Sequence, residues 1–242
     1  MASRQIPVHI SQQFDNELND LRANVLAMGG LVEDHLNRAL TALSNEDFEA
    51  AEYVATHDYK VNALEVEIDE ECSRILLKRQ PAAGDLRLVL AVSKTITDLE
   101  RVGDEVEKVG RMALELMGSD SPKSYYVGIL AMGAHVKKML HDVLDAFARM
   151  DSQAAFHVAQ QDPQVDEEND AIMRHLITYM MEDPRSISQV LNAVLAVRAF
   201  ERIGDHANNI GEYIIYFVEG KDVRHTSLED IEQELKLSSK RT

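Results

Sequence analysis

Leu99-Glu100-Arg101-Val102-Gly103-Asp104 returns about a hundred residues later as Phe200-Glu201-Arg202-Ile203-Gly204-Asp205. Four of the six positions are identical, and the other two exchange one apolar residue for another. Around the first copy a stripe recurs at steps of three and four through Leu88, Val92, Thr95, Leu99, Val102, Val106, Val109, Ala113 and Leu116. Around the second it runs through Leu191, Val194, Val197, Phe200, Ile203, Ala207, Ile210, Ile214 and Phe217. That period predicts a long amphipathic helix in each place, with the motif's glutamate and aspartate one turn apart on one side. Two such carboxylates repel unless a positive charge lies between them, either an Arg or Lys or a hard divalent or trivalent cation. The glycine before each aspartate costs roughly 1 kcal/mol against alanine in a helix. It predicts that another backbone, or a ligand, comes close there.

Working outward, each motif helix is the third of a set. Phe14, Leu18, Leu21, Val25, Met28, Val32, Leu36, Leu40 and Leu43 predict a first helix, broken at Asn45-Glu46-Asp47. A second follows through Val54, Val61, Leu64, Ile68, Cys72 and Ile75, up to the punctuation at Pro81-Ala82-Ala83-Gly84-Asp85. Gly118-Ser119-Asp120-Ser121-Pro122 ends the first motif helix, and the plan starts again. Ile129 to Phe147 gives a fourth helix, whose Leu130-Ala131-Met132-Gly133 echoes Leu26-Ala27-Met28-Gly29, and Val158 to Tyr179 a fifth, ended at Glu182-Asp183-Pro184. The expectation is an all-α protein of six long helices, two tandem three-helix bundles related by an internal repeat. The first repeat covers 11–118 and the second 123–219, and 220–242 reads as a polar tail, frayed or disordered.

Composition narrows the function. The chain of 242 residues carries 42 acidic and 25 basic side chains, a formal net charge of −17, which argues against nucleic-acid binding and against adsorption onto anionic lipid. Met1-Ala2-Ser3-Arg4-Gln5-Ile6-Pro7 lacks the apolar core of a signal peptide, and no run reaches a membrane span, so a cytoplasmic protein is expected, meeting a membrane only through partners. The single cysteine, Cys72, falls between Ile68 and Ile75 on an apolar stripe and reads as core filler in a reducing compartment.

Two more acids stand where the stripes want apolar residues. Asp58 falls between Val54 and Val61, and Asp162 between Val158 and Val165. An ionised carboxylate facing a core has to be paired, coordinated or protonated. One turn further on lie Asn62 and Asp166. If the second and third helices of each half pack level, Asp58, Asn62, Glu100 and Asp104 converge in one half and Asp162, Asp166, Glu201 and Asp205 in the other. Oxygen ligands of that kind suit Mg²⁺, Mn²⁺ or iron. Glu107 and Asn208, a turn beyond, are weaker candidates. Three blander readings compete: solvated helix faces, pairing with the adjacent Arg101 and Arg202, and Asp162 as a helix N-cap before Pro163. No histidine follows Glu100 or Glu201 at the spacing of a di-iron bundle. His57 and His206 have no counterpart in the other half, and no catalytic nucleophile is repeated. The acids are read as binding groups, and the chain as not an enzyme.

With the duplicated plan and both Glu-Arg-x-Gly-Asp turns in view, the sequence resembles the PhoU family of accessory and regulatory proteins of bacterial phosphate-specific transport, from about residue 11 to 219. The family signature is an acidic residue, three intervening residues and an aspartate, used in pairs within each repeat; Asn62 departs from it. The resemblance implies a negative regulator of the phosphate-starvation response, linking the ATPase subunit of the phosphate ABC transporter to a sensor histidine kinase. It further implies metal at the carboxylate motifs, a homodimer and no catalysis. Because of Asn62, the first-half site is expected to be the less charged and to hold its metal more weakly. Alternatives from other classes are a metal-dependent helical-bundle enzyme and a purely structural helical adaptor.

Overall fold

Long unbroken 3.6-residue stripes with few prolines leave little choice but helix, and helix is what forms. The computed structural model describes residues 12–117 and 124–239, so the boundary expected at Gly118–Pro122 and the N-terminal Met1–Pro7 lie outside the described residues. The elements are α1 (Gln12–Asn45), α2 (Phe48–Thr56), α3 (Tyr59–Arg79), α4 (Ala83–Met117), α5 (Ser124–Arg149), α6 (Ser152–Ala159), α7 (Asp162–Glu182), a 3₁₀ turn (Pro184–Ser186), α8 (Ile187–Glu219) and α9 (Leu228–Ser239). Among the described residues there is no strand.

Two expectations are corrected. Each predicted second helix is two helices, because the chain breaks at His57-Asp58 and again at Gln160-Gln161. In the first break His57 Nδ1 reaches Tyr53 O at 2.9 Å, so a side chain satisfies the carbonyl that the next N–H of a continuing helix would use. In the second, Gln161 Nε2 donates to His157 O at 3.1 Å, and Pro163 has no N–H to give. The second correction concerns the polar tail, most of which is ordered: Val223 and the α9 residues Ile231 and Leu235 are buried, with α9 against α6.

The repeat extends to the turns. Glu46 and Met150 both take positive φ, and the following aspartates cap the next helix: Asp47 Oδ1 accepts from Ala50 N, and Asp151 Oδ1 from Gln153 N and Ala154 N. Within the halves α4 packs on α1, α2 and α3, while α8 packs on α5, α6 and α7. The most extensive contact in the chain is between the two motif helices, α4 against α8. They run antiparallel, since Lys94 lies over Tyr213 and Tyr216 while Glu105 meets Arg202. One continuous cluster of buried side chains runs through both halves, with Met28, Leu36, Leu99, Met132, Met139 and Phe200 among its fully buried members. Cys72 belongs to it, and burial pushes its thiol up to about 12, so it is the core filler the stripe suggested.

Candidate functional site

The breaks before α3 and α7 set the acids in place. Asp58 occupies the N-cap position of α3 but its side chain caps nothing; only its backbone carbonyl serves the helix, accepting from Val61 N at 2.8 Å and Asn62 N at 3.2 Å. The carboxylate turns instead to α4 and is 4% exposed. It lies so near Gly103 that a Cβ there would sit 2.6 Å from Asp58 Oδ1. An alanine there would force the Asp58 carboxylate to shift, so what approaches the glycine is a side-chain carboxylate. Gly204 differs: a Cβ there would meet Val165 Cγ1 at 3.4 Å, an ordinary contact, so the expectation of close approach fails in the second half. Asp162 is the first residue of α7 and Gln161 takes the N-cap position, so Asp162 does start a helix after a break without being its cap.

Electrostatics show which acids share a neighbourhood. Burial, then Asp104, then Glu107 push Asp58 up to about 6, against a weaker opposing hydrogen bond from Asn62. Burial raises Glu100 as well, with Asp104, Glu65 and Asp58 adding to it. In the other half burial, Asp205, Asp166 and Glu212 push Asp162 up to about 6. Glu201 and Asp205 are both raised, first by burial and then by their acidic neighbours, Asp166 among them. Thus Asp58, Asn62, Glu100 and Asp104 share a neighbourhood in the first half, and Asp162, Asp166, Glu201 and Asp205 in the second.

The structure adds Glu65, and with it Glu107 gains weight. Their repeat counterparts are Asn169 and Asn208. The first half has an amide at Asn62 and two carboxylates where the second half has amides, while the second adds Glu212 beside Asp162 where the first has Arg111, which is ion-paired with Glu107. Glu65 had a sequence signal, standing one turn beyond Asn62 on the same side of the helix.

Several oxygens in these clusters have no partner. Asp58 Oδ1, Asn169 Oδ1 and Asn208 Oδ1 are buried without a hydrogen bond, although Asn208 Nδ2 donates to Asp162 Oδ2 at 3.5 Å. Unsatisfied buried oxygens are costly and are what a hard cation takes up, so the donor set fits a divalent metal. Among the described residues, no group of three His, Cys, Asp or Glu side chains is gathered into a metal site.

The arginines of the motif do other work. Arg202 Nη1 meets Glu105 Oε1 at 3.0 Å across the α4–α8 contact, and Arg101 Nη1 lies 4.0 Å from Asp98. Neither neutralises a motif acid in an ion pair. Asp98, 2% exposed, accepts from His206 Nδ1 at 2.6 Å and from Asn209 Nδ2 at 3.3 Å, and Tyr213 also bonds it. So His206, unmatched in the repeat, fastens the two halves together, whereas His57 stacks on the Tyr53 ring with centroids 4.0 Å apart. Between the motif copies a cleft of about 340 Å³ is lined by Arg101, Asp104, Glu105, Arg202, Asp205 and His206.

The model of the PhoU domain matches residues 25–113 and again 129–214. The chain belongs to the PhoU family. It is 52% identical over 227 residues to the phosphate-specific transport system accessory protein PhoU homolog of Pseudomonas aeruginosa, a match covering 94% of each chain. It is 48% identical over 233 residues to the corresponding Escherichia coli protein, covering 96% of each. The crystal structure of PhoU from Pseudomonas aeruginosa superposes with a TM-score of 0.84 at 51% identity, covering 86% of this chain and 100% of that one. The PhoU phosphate transport system regulatory protein from Streptococcus pneumoniae gives 0.80 at 31% identity, covering 87% and 99%. Membership supports a regulatory, non-catalytic role in phosphate homeostasis and the two-bundle helical architecture. No helix among the described residues is long and apolar enough to cross a membrane.

Proposed function

We propose that this chain is a negative regulator of the phosphate-starvation response, relaying the state of the phosphate ABC transporter, through its ATPase subunit, to the sensor histidine kinase. It acts as a homodimer in the cytoplasm, holding a partner in one conformational state by binding that state more tightly. The observation that carries the reading is the near full-length match to accessory proteins of phosphate-specific transport, covering 94% of this chain and of the Pseudomonas aeruginosa relative. The carboxylate clusters are its metal sites: Asp58, Asn62, Glu100 and Asp104, with Glu65 and Glu107 beside them, and Asp162, Asp166, Glu201 and Asp205. A bound Mg²⁺, Mn²⁺ or iron ion supplies the positive charge these acids lack. The adaptor reading, in which Arg101 and Arg202 neutralise the acids, is disfavoured because those side chains turn to Asp98 and Glu105.

The test is alkaline phosphatase activity in the source bacterium grown with ample phosphate. Deleting the gene should raise it and the unchanged gene should restore it to low. The variant Glu100→Ala, Asp104→Ala, Glu201→Ala, Asp205→Ala then reports whether the acids matter for repression. Activity that stays low on deletion would remove the signalling role.

A further inference from the structure

A tyrosine in α2 gathers basic side chains from both neighbouring helices. Tyr53 has the Arg38 guanidinium of α1 over its ring at 4.8 Å and the His57 ring stacked on it. Lys60, at the start of α3, lies 5.4 Å from the same ring, and His35 of α1 stands edge-on to it with centroids 5.7 Å apart. The charges that act on His35 are the acid Asp34 and three basic groups, Lys60, Arg38 and His57. Asp34 is ion-paired with Arg38. Lys60 is therefore left in excess, and the cluster stays positive in a chain whose formal net charge is −17.

The bundle does not need this cluster in order to fold. At the offset that relates Asp58 to Asp162, the second half has Met139, Asp142, His157, Gln161 and Gln164 in place of His35, Arg38, Tyr53, His57 and Lys60. The same break between helices is built there without the basic groups.

What the cluster offers is donors. Lys60 Nζ donates to Tyr53 Oη at 3.3 Å and keeps its other N–H groups, while the hydroxyl, having accepted, still has its own O–H to give. Arg38 spends Nε on Asp34 at 2.7 Å, which leaves the two Nη groups of the guanidinium fork. His35 is 1% exposed, and its Nε2 is buried without a partner, a costly state that a ligand oxygen would relieve. α3 begins here with no side-chain cap, so the positive end of its dipole adds to the local potential. A metal ion would be repelled by Lys60 and Arg38, and an apolar molecule would strand the donors. An anion rich in oxygen satisfies them.

We propose that the junction of α1, α2 and α3 in the first half binds a phosphoryl oxyanion, with Lys60 Nζ, the Tyr53 hydroxyl and Arg38 Nη as its outer donors and His35 Nε2 as the inner one. The choice of inorganic phosphate as occupant rests on the regulatory reading; the choice of an oxyanion rests on the donors alone. The carboxylate clusters are a different neighbourhood, since the acids acting on Asp58 are Asp104 and Glu107 of α4.

Equilibrium dialysis against radiolabelled orthophosphate tests the full chain after treatment with EDTA, so that phosphate held through a metal ion is not counted. The unchanged chain should retain one phosphate per chain. Lys60→Gln and His35→Met, which install the residues of the second half, and Tyr53→Phe should each weaken retention about tenfold or more. Lys138→Gln, at an exposed lysine of the second half, should bind as the unchanged chain does. Circular dichroism melting establishes that each variant is folded. Unlabelled ATP that displaces the label at a lower concentration than unlabelled phosphate overturns free phosphate as the occupant and gives the site to the phosphoryl groups of a nucleotide. No retention by the unchanged chain, or retention that survives Lys60→Gln combined with Tyr53→Phe, overturns the site. Either result leaves the regulatory reading standing, because the alkaline phosphatase assay decides that separately.

Discussion

Asp58 and Asp162 carry the clearest consequence for solution behaviour. Each titrates near 6 when folded, against about 3.9 for an unperturbed aspartate. A raised carboxyl binds its proton more tightly in the folded state, so stability falls as pH rises from about 4 to about 6 and stays reduced above that. Metal-free protein should therefore melt lower at pH 7 than at pH 5, and Asp58→Asn should raise the pH 7 melting point, a stabilisation on the order of 1–3 kcal/mol. Adding Mn²⁺ at pH 7 should raise the melting point of the unchanged chain but not that of the Glu100, Asp104, Glu201, Asp205 quadruple alanine variant; a ligand at a hundred times its Kd stabilises by about 2.7 kcal/mol. The two motif glycines should part company. Gly103→Ala must push the Asp58 carboxylate aside and should lower the melting point, whereas Gly204→Ala has room and should gain up to about 1 kcal/mol from helix propensity. The skipped slots at Asp58 and Asp162 revealed those acids because burial of a charge contradicts the stripe it interrupts. Asp98 and Glu105 had the same signal and were missed. Ala91, Thr95, Asp98, Val102, Glu105 and Val109 form a second buried series at steps of four and three, and its two charged members face the other half.

The helices themselves were readable wherever a stripe was long, and unreadable at two kinds of place. Val54, Asp58 and Val61 keep helical spacing across the break, so periodicity alone could not show that α2 ends at Thr56. The side chain that closes the break, His57, acts through the carbonyl of Tyr53, which the stripe does not reveal. In α9 the apolar positions Leu228, Ile231 and Leu235 do recur at three and four, but the acidic residues among them hide a stripe of only 12 residues. With Ile231 and Leu235 both 3% exposed, Ile231→Ala should cost about 2–4 kcal/mol, seen as a lower urea midpoint. An unchanged midpoint would mean that α9 contributes nothing to the folded body.

The two halves share one continuous core and a set of polar bonds, so heating should give a single calorimetric transition whose van't Hoff and calorimetric enthalpies agree. Asp98→Ala strands His206, Asn209 and Tyr213 at the contact and should destabilise by about 2–4 kcal/mol, or split the transition in two. Sequence reasoning recognised the duplication but not the bond between the copies, because a repeat describes what two segments have in common, while a contact between them depends on where they differ. Asp98 corresponds to Ala199 in the other half, and His206 to Glu105. Two copies of the first half laid together in the same way would set Asp98 against Glu105, two acids with no histidine between them. Fusing the copies into one chain has let each specialise for the other. Mixed as separate fragments, unlike halves should seek each other out and like halves should stay apart, as a lock does with its own key.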